Sequence, residues 1–183
     1  MPMFRISKDS PVYYLTCVTH DRLPVFQGAR LKDIVCKALN EARTSAQLLI
    51  FAYVIMPDHL HALIGSERKP REVLRYVNGI SSRRVIDFLK EKKYEASLNK
   101  LRHETLQRDY KFSLWDHHPN LKLITTENGF MEKVNYIHKN PVRAGLVERA
   151  EDYRWSSIRC WQRKPREDEP LLVDIDKIAW HRT

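Results

Sequence analysis

A chain of 183 residues, 43% of them hydrophobic, has enough apolar mass for one globular domain with its own core. Its net charge of +9 and pI near 9.5 favour an anionic partner, nucleic acid first among them. No apolar run approaches the roughly 20 residues of a membrane helix, the N-terminus lacks a signal-peptide core, and Cys17, Cys36 and Cys160 form neither a disulfide framework nor a CxxC metal site; the expectation is a cytoplasmic protein with no membrane partner.

In chain order, "VYYLTCVTH" (Val12 to His20) is β-branched and aromatic and reads as a strand, followed by a turn signal at Leu23-Pro24. "GARLKDIVCKALNEART" carries Leu31, Ile34, Val35, Ala38 and Leu39 at helical spacing. "QLLIFAYVIM" is a nearly continuous apolar run, a buried strand, broken by Pro57-Asp58 before "HLHALIG" resumes as the second arm of a hairpin. From Arg71 to Lys93 the pattern is helical again. Residues 94–110 are polar and charged and fit a mobile insertion or a helix extension equally well. "KFSLW" is strand-like, and "TTENGFMEKVNYIHKN" reads as a helix from about Thr126, ended by Pro141. The domain then spans 1–161, with 162–183 as an extension: charged, exposed "QRKPREDEP", then apolar "LLVDIDKIAW". Strand, helix, strand, strand, helix, strand, helix is an α+β order, an antiparallel sheet covered by helices, nearest to the split β-α-β-β-α-β motif.

Two short stretches carry chemistry. In "VIMPDHLHALIG" (Val54 to Gly65), residues two apart on a strand share a face, so His59 and His61 project together while Leu60, Ala62 and Ile64 point to the core. Paired imidazoles can bind one metal ion, although a surface or hydrogen-bonded pair explains an isolated HxH as well. In "NYIHKNPVRAGL" (Asn135 to Leu146), Tyr136 and Asn140 are four apart and so one helical turn apart on one side, with His138 roughly opposite. A core tyrosine and a helix-ending asparagine would satisfy that spacing too.

"MPDHLHALI", followed much later by "YIHKNPVRAGLV" and "YRWSS", resembles the single-tyrosine HUH transposases, and more narrowly the REP-associated tyrosine transposases. The resemblance runs from about Val12 to Trp161 and is densest from Trp115 to Val147. It implies a ferredoxin-like sheet with helices on one side, the HUH endonuclease type. It implies a nuclease and strand transferase that cuts and rejoins single-stranded DNA beside palindromic hairpins through a 5′-phosphotyrosine. In that pattern Tyr136 is the nucleophile, and His59, His61 and Asn140 hold a divalent metal; the ligand chemistry of two imidazoles and an amide oxygen points to Mn²⁺ in vitro, or Mg²⁺ in cells. Such proteins act as monomers or homodimers.

Single strands are held by cationic grooves and aromatic faces. The candidates for phosphate contact are Arg83, Arg84, Lys139, Arg143, Arg149 and Arg154 as a set, whereas Trp155 is better suited to packing than to stacking on a base. Three other readings compete: a replication initiator or relaxase, which usually has a third histidine in its metal set; a DNA-binding protein of the same fold without catalysis; and a small HxH metallohydrolase, which leaves Tyr136, Asn140 and the basic charge unexplained.

Overall fold

Residues 12–17 alternate between two destinations, as the two-residue period of a strand requires. Tyr13, Leu15 and Cys17 enter one apolar cluster, and Val12 and Tyr14 another. The computed structural model describes residues 4–5, 11–102 and 111–179. Its elements are β1 (Phe4–Arg5), β2 (Val12–Val18), α1 (Ala29–Ala46), β3 (Leu49–Ile55), β4 (His59–Gly65), α2 (Pro70–Glu91), α3 (Glu95–Lys100), β5 (Asn120–Ile124), α4 (Glu127–Arg143), α5 (Ile158–Trp161) and β6 (Ile178–Ala179). Strands β2 to β5 form one antiparallel sheet in the order β3-β4-β2-β5. With α1 and α2 as crossovers this is the β-α-β-β-α-β wiring of a ferredoxin-like α+β fold. β1 and β6 pair with each other in parallel, apart from this sheet.

Helices lie on both faces of the sheet, not on one. Val35 and Leu39 of α1 and Val73, Val77 and Val85 of α2 join Leu15, Leu60, Ala62 and Ile64. On the opposite face, Phe130, Val134 and Ile137 of α4 join Phe51, Val54 and Leu63. That second face is apolar along three strands, so leaving it open would forfeit about 1.5–3 kcal/mol for each large side chain left in water.

Two expected boundaries change. "KFSLW" is not a sheet strand: it makes isolated bridges, Arg102 with Phe112 and Thr19 with Trp115, and it is apolar because Leu114 and Trp115 are core residues. The fourth strand is "NLKLI", an edge strand whose weak pattern reflects its largely exposed side chains. Nor does Pro141 end α4. It is buried in the last turn, where its missing N–H removes a single rung of the ladder. The helix stops at Gly145, in the left-handed region at φ 67°. Leu146 N–H donates to the Pro141 carbonyl at 2.9 Å and Gly145 N–H to that of Val142 at 3.0 Å, a Schellman closure. Of the undecided stretch 94–110, Glu95–Lys100 is helix and 103–110 lies outside the described residues.

The free edge of β3 is covered by "YRWSS". Ile55 N–H donates to the Trp155 carbonyl at 2.9 Å, and Ser157 N–H to that of Tyr53 at 3.0 Å. Trp155 packs as expected: its indole N–H donates to Asp33 at 2.8 Å, and the Lys32 ammonium lies 4.2 Å from the ring centroid. Further along, Leu171 enters the α1/α2 cluster, and Ile175 and Ile178 the α4 cluster. Arg159 and Glu169 form a double contact with side chains only 5% and 2% exposed. Glu169→Ala strands a guanidinium out of water, which costs about 3–5 kcal/mol. A melting midpoint lower by on the order of 10 °C is expected; an unchanged melt would mean that this segment adds nothing to the fold.

Candidate functional site

His59 and His61 stand on the α4 face at the start of β4, with ring centroids 4.8 Å apart at 71°. Each has one ring nitrogen committed. His59 Nδ1 lies 2.6 Å from the Asp58 carboxylate. A carboxylate only accepts, so Nδ1 carries a proton and donates it to Asp58, which leaves Nε2 as the nitrogen that can face a metal. His61 Nδ1 lies 2.9 Å from both the Tyr14 and the Thr16 hydroxyls. Antiparallel register sets those contacts: Thr16 is directly opposite His61, and Tyr14 one step along the same face. With the Nδ1 proton donated to one of these oxygens, Nε2 of His61 is free as well.

Burial pushes the His61 pKa down to about 3, and the adjacent His59 lowers it further against the opposing pull of Asp58. The ring is therefore neutral at working pH, the state in which imidazole binds metal. Two adjacent imidazoles, each oriented through Nδ1, suit a divalent cation that takes the Nε2 lone pairs. Among the described residues, no third His, Cys, Asp or Glu joins them in a metal-binding cluster.

α4 brings Tyr136 to the pair. Its ring meets His61 edge-on at 5.4 Å and 74°, yet 37% of the residue is exposed. Tyr14 stacks on His61 at 5.6 Å and 17°, also meets Tyr136 edge-on at 6.3 Å, and is buried. Burial drives the Tyr14 phenol up to about 12, with the Thr16 hydrogen bond opposing and Tyr136 adding to the rise, so it keeps its proton. Two cations overlie the Tyr136 ring: Arg143 at 5.4 Å from the centroid and Lys133 at 5.8 Å. Asn140 lies one turn beyond, its side-chain N–H donating to the Tyr136 carbonyl at 3.4 Å. His138 is buried away from the site, 2.9 Å from the Ser157 hydroxyl, and burial lowers its pKa to about 4.

The basic candidates disperse. Arg143 reaches the tyrosine, and Lys139 is exposed on α4. Arg83 and Arg84 ride on α2, across the sheet from Tyr136, and Arg84 is clamped by Glu41 at 2.8 and 2.7 Å. Arg149 pairs with Glu151 and Arg154 with Asp168. Sequence reading missed Tyr14, Thr16 and Lys133. Lys133 is one turn before Tyr136, a spacing that could have exposed it. Tyr14 and Thr16 needed the strand register.

A family model described as "Transposase IS200 like" matches residues 8–126, ending just before α4. No protein of curated function matches the chain. Among solved structures, a REP-associated tyrosine transposase bound to a REP hairpin superposes with a TM-score of 0.61 at 15% identity, over 90% of this chain and 87% of that one. A transposase candidate from Deinococcus radiodurans gives 0.47 at 21% identity, over 70% and 88%. At that identity the first likeness is one of fold.

Proposed function

The chain belongs to the IS200-like transposase family, and on that premise we propose that it cuts and rejoins single-stranded DNA beside a palindromic, REP-like hairpin through a covalent link to Tyr136. The observation that carries this reading is the placement of Tyr136: edge-on to His61 of the oriented histidine pair and open to solvent. A tyrosine held there for packing alone would be buried like Tyr14.

The proposed step is an in-line exchange at phosphorus. Tyr136 Oη forms a bond to the scissile phosphorus as its proton leaves. The bond from phosphorus to the 3′ oxygen breaks, and that oxygen takes up a proton to become a 3′-OH. The 5′ end stays on Tyr136 as a phosphodiester, so a later 3′-OH reseals the strand by the reverse exchange without another energy source. Arg143 and Lys133, over the ring, stabilise negative charge on Oη and on the approaching phosphate. His59 and His61 are assigned as ligands through Nε2, Asp58 and Tyr14 or Thr16 as the groups that fix their orientation, and Asn140 through its amide oxygen. When bound there, Mg²⁺ or Mn²⁺ neutralises phosphate charge and aligns the scissile group.

The test is a hairpin oligonucleotide with a labelled single-stranded flank, incubated with the protein and Mn²⁺. A denaturant-resistant protein–DNA adduct and a fragment ending in 3′-OH are expected, and an added 3′-OH strand should discharge the adduct as a joined product. Cleavage that releases both ends with no adduct would indicate water as nucleophile and end the proposal.

A further inference from the structure

We propose that the groove between α2 and residues 111–119 holds the backbone of a single-stranded DNA segment outside the scissile site. The inference rests on the DNA-processing reading above, but on different residues. The groove has a volume of roughly 690 Å³ and lies on the sheet face opposite Tyr136. Arg75, Arg83, Lys90 and Lys111 line it, against the carboxylates of Asp87 and Asp116. Among the described residues none of these four cations is in an ion pair, whereas Arg84, the neighbour of Arg83, is neutralised by Glu41. Cations that converge on a concavity with no carboxylate bound to them fit an anionic occupant.

Phe112 makes that occupant a single strand. Its half-buried ring lines the groove with the Lys90 ammonium 5.3 Å and the Lys111 ammonium 5.7 Å from the centroid. Cations bordering an aromatic face are what an unstacked base and its phosphate require. Gly79 lines the same wall, in the middle of α2. A Cβ there would meet nothing within 4 Å, so packing does not call for a glycine, and the helix is weakened by it. A bare wall lets a bulky ligand approach the helix backbone.

The groove also connects to the site. Trp115 at its floor is fixed by donating to Ser81 at 2.9 Å. Asp116 N–H donates to the Val18 carbonyl at 2.7 Å, and the adjacent Thr19 N–H to that of Asp58 at 2.9 Å. Asp58 is the residue that holds His59. Groove and histidine pair are thus tied together through Val18 and Thr19 at one end of the sheet, on its opposite faces.

The test uses the full chain and a fluorescent oligothymidylate about a dozen nucleotides long, with anisotropy measured over a salt series. Arg75→Gln/Lys90→Gln/Lys111→Gln should lose about tenfold or more in affinity and flatten the slope of log K against log salt by about 2, three contacts at roughly 0.7 each. Gly79→Leu should melt at or above the wild-type temperature, since leucine is the better helix former, yet bind about tenfold more weakly. Unchanged affinity and slope in both variants overturns the inference and leaves the groove to an acidic protein partner. Loss in Gly79→Leu only together with a lowered melting point also counts against it. The adduct assay on wild-type protein reports on the reaction separately, so failure of the groove and failure of the proposed function are told apart.

Discussion

Tyr136→Phe should bind the hairpin oligonucleotide as the wild type does, form no covalent adduct and lose cleavage by at least about a thousandfold. The substitution removes one oxygen and leaves the ring that meets His61 and Tyr14 edge-on. The residue is 37% exposed, so stability should stay within about 0.5 kcal/mol of wild type. A loss of activity is then a loss of chemistry. Tyr14→Phe is the matched control, because two phenols flank His61 and either is near enough to suggest a nucleophile. Tyr14 is buried, with its phenol raised to about 12, which makes it a poor nucleophile and a good orienting group. Tyr14→Phe should still form the adduct, at a higher Mn²⁺ concentration, with Thr16 alone left to fix His61. Mass mapping of the DNA-linked peptide decides between them. An adduct on Tyr14, or undiminished cleavage by Tyr136→Phe, would sink the assignment.

The parts of this arrangement legible in the sequence were those written in local periodicity. Two-residue spacing put His59 and His61 on one face, and four-residue spacing put Tyr136 and Asn140 on one side of a helix. Both hold in the structure. What stayed hidden depends on pairing between segments far apart in the chain. Tyr14 and Thr16 reach His61 only because β2 runs antiparallel to β4 in one register, and a shift by one residue would turn both away. The strand-like reading of "KFSLW" failed for a related reason: Leu114 and Trp115 are apolar because they fill the core, while the true edge strand is only five residues long, breaks its apolar residues with Asn120 and Lys122, and leaves Leu123 in water. The stop at Pro141 failed because a proline in a last helical turn forfeits a single hydrogen bond, and Gly145 provides the actual closure.

His61→Ala should abolish cleavage at every Mn²⁺ concentration, and His59→Ala should restore some of it only at high Mn²⁺. The asymmetry follows from how each ring is held. His61 is 5% exposed, stacked by Tyr14 and approached by Thr16, so its Nε2 is the more rigidly placed ligand. His59 sits at the strand start with a 19% exposed side chain held by Asp58. Loss of the more rigid ligand forfeits the position of the ion as well as its affinity. His61→Ala also leaves the Tyr14 and Thr16 hydroxyls short of a partner, a cost of about 1–3 kcal/mol that a melt will register. Activity alone would therefore confuse unfolding with metal loss. Calorimetric titration with Mn²⁺ in the absence of DNA separates them: a folded His59→Ala should bind Mn²⁺ weakly, and Asp58→Asn, which keeps both imidazoles but frees the tautomer of His59, should lose about 10–100-fold in Mn²⁺ affinity. Asn140→Ala belongs in the same series, since its N–H already contacts the Tyr136 carbonyl and an amide oxygen is the weaker ligand. A shifted Mn²⁺ midpoint places it in the ligand set, and an unshifted midpoint with a lower melting temperature makes it a helix residue only. Undiminished cleavage by the His59→Ala/His61→Ala double variant in excess chelator would remove metal from the reaction altogether, leaving Arg143 and Lys133, the two cations over the Tyr136 ring, to meet the phosphate.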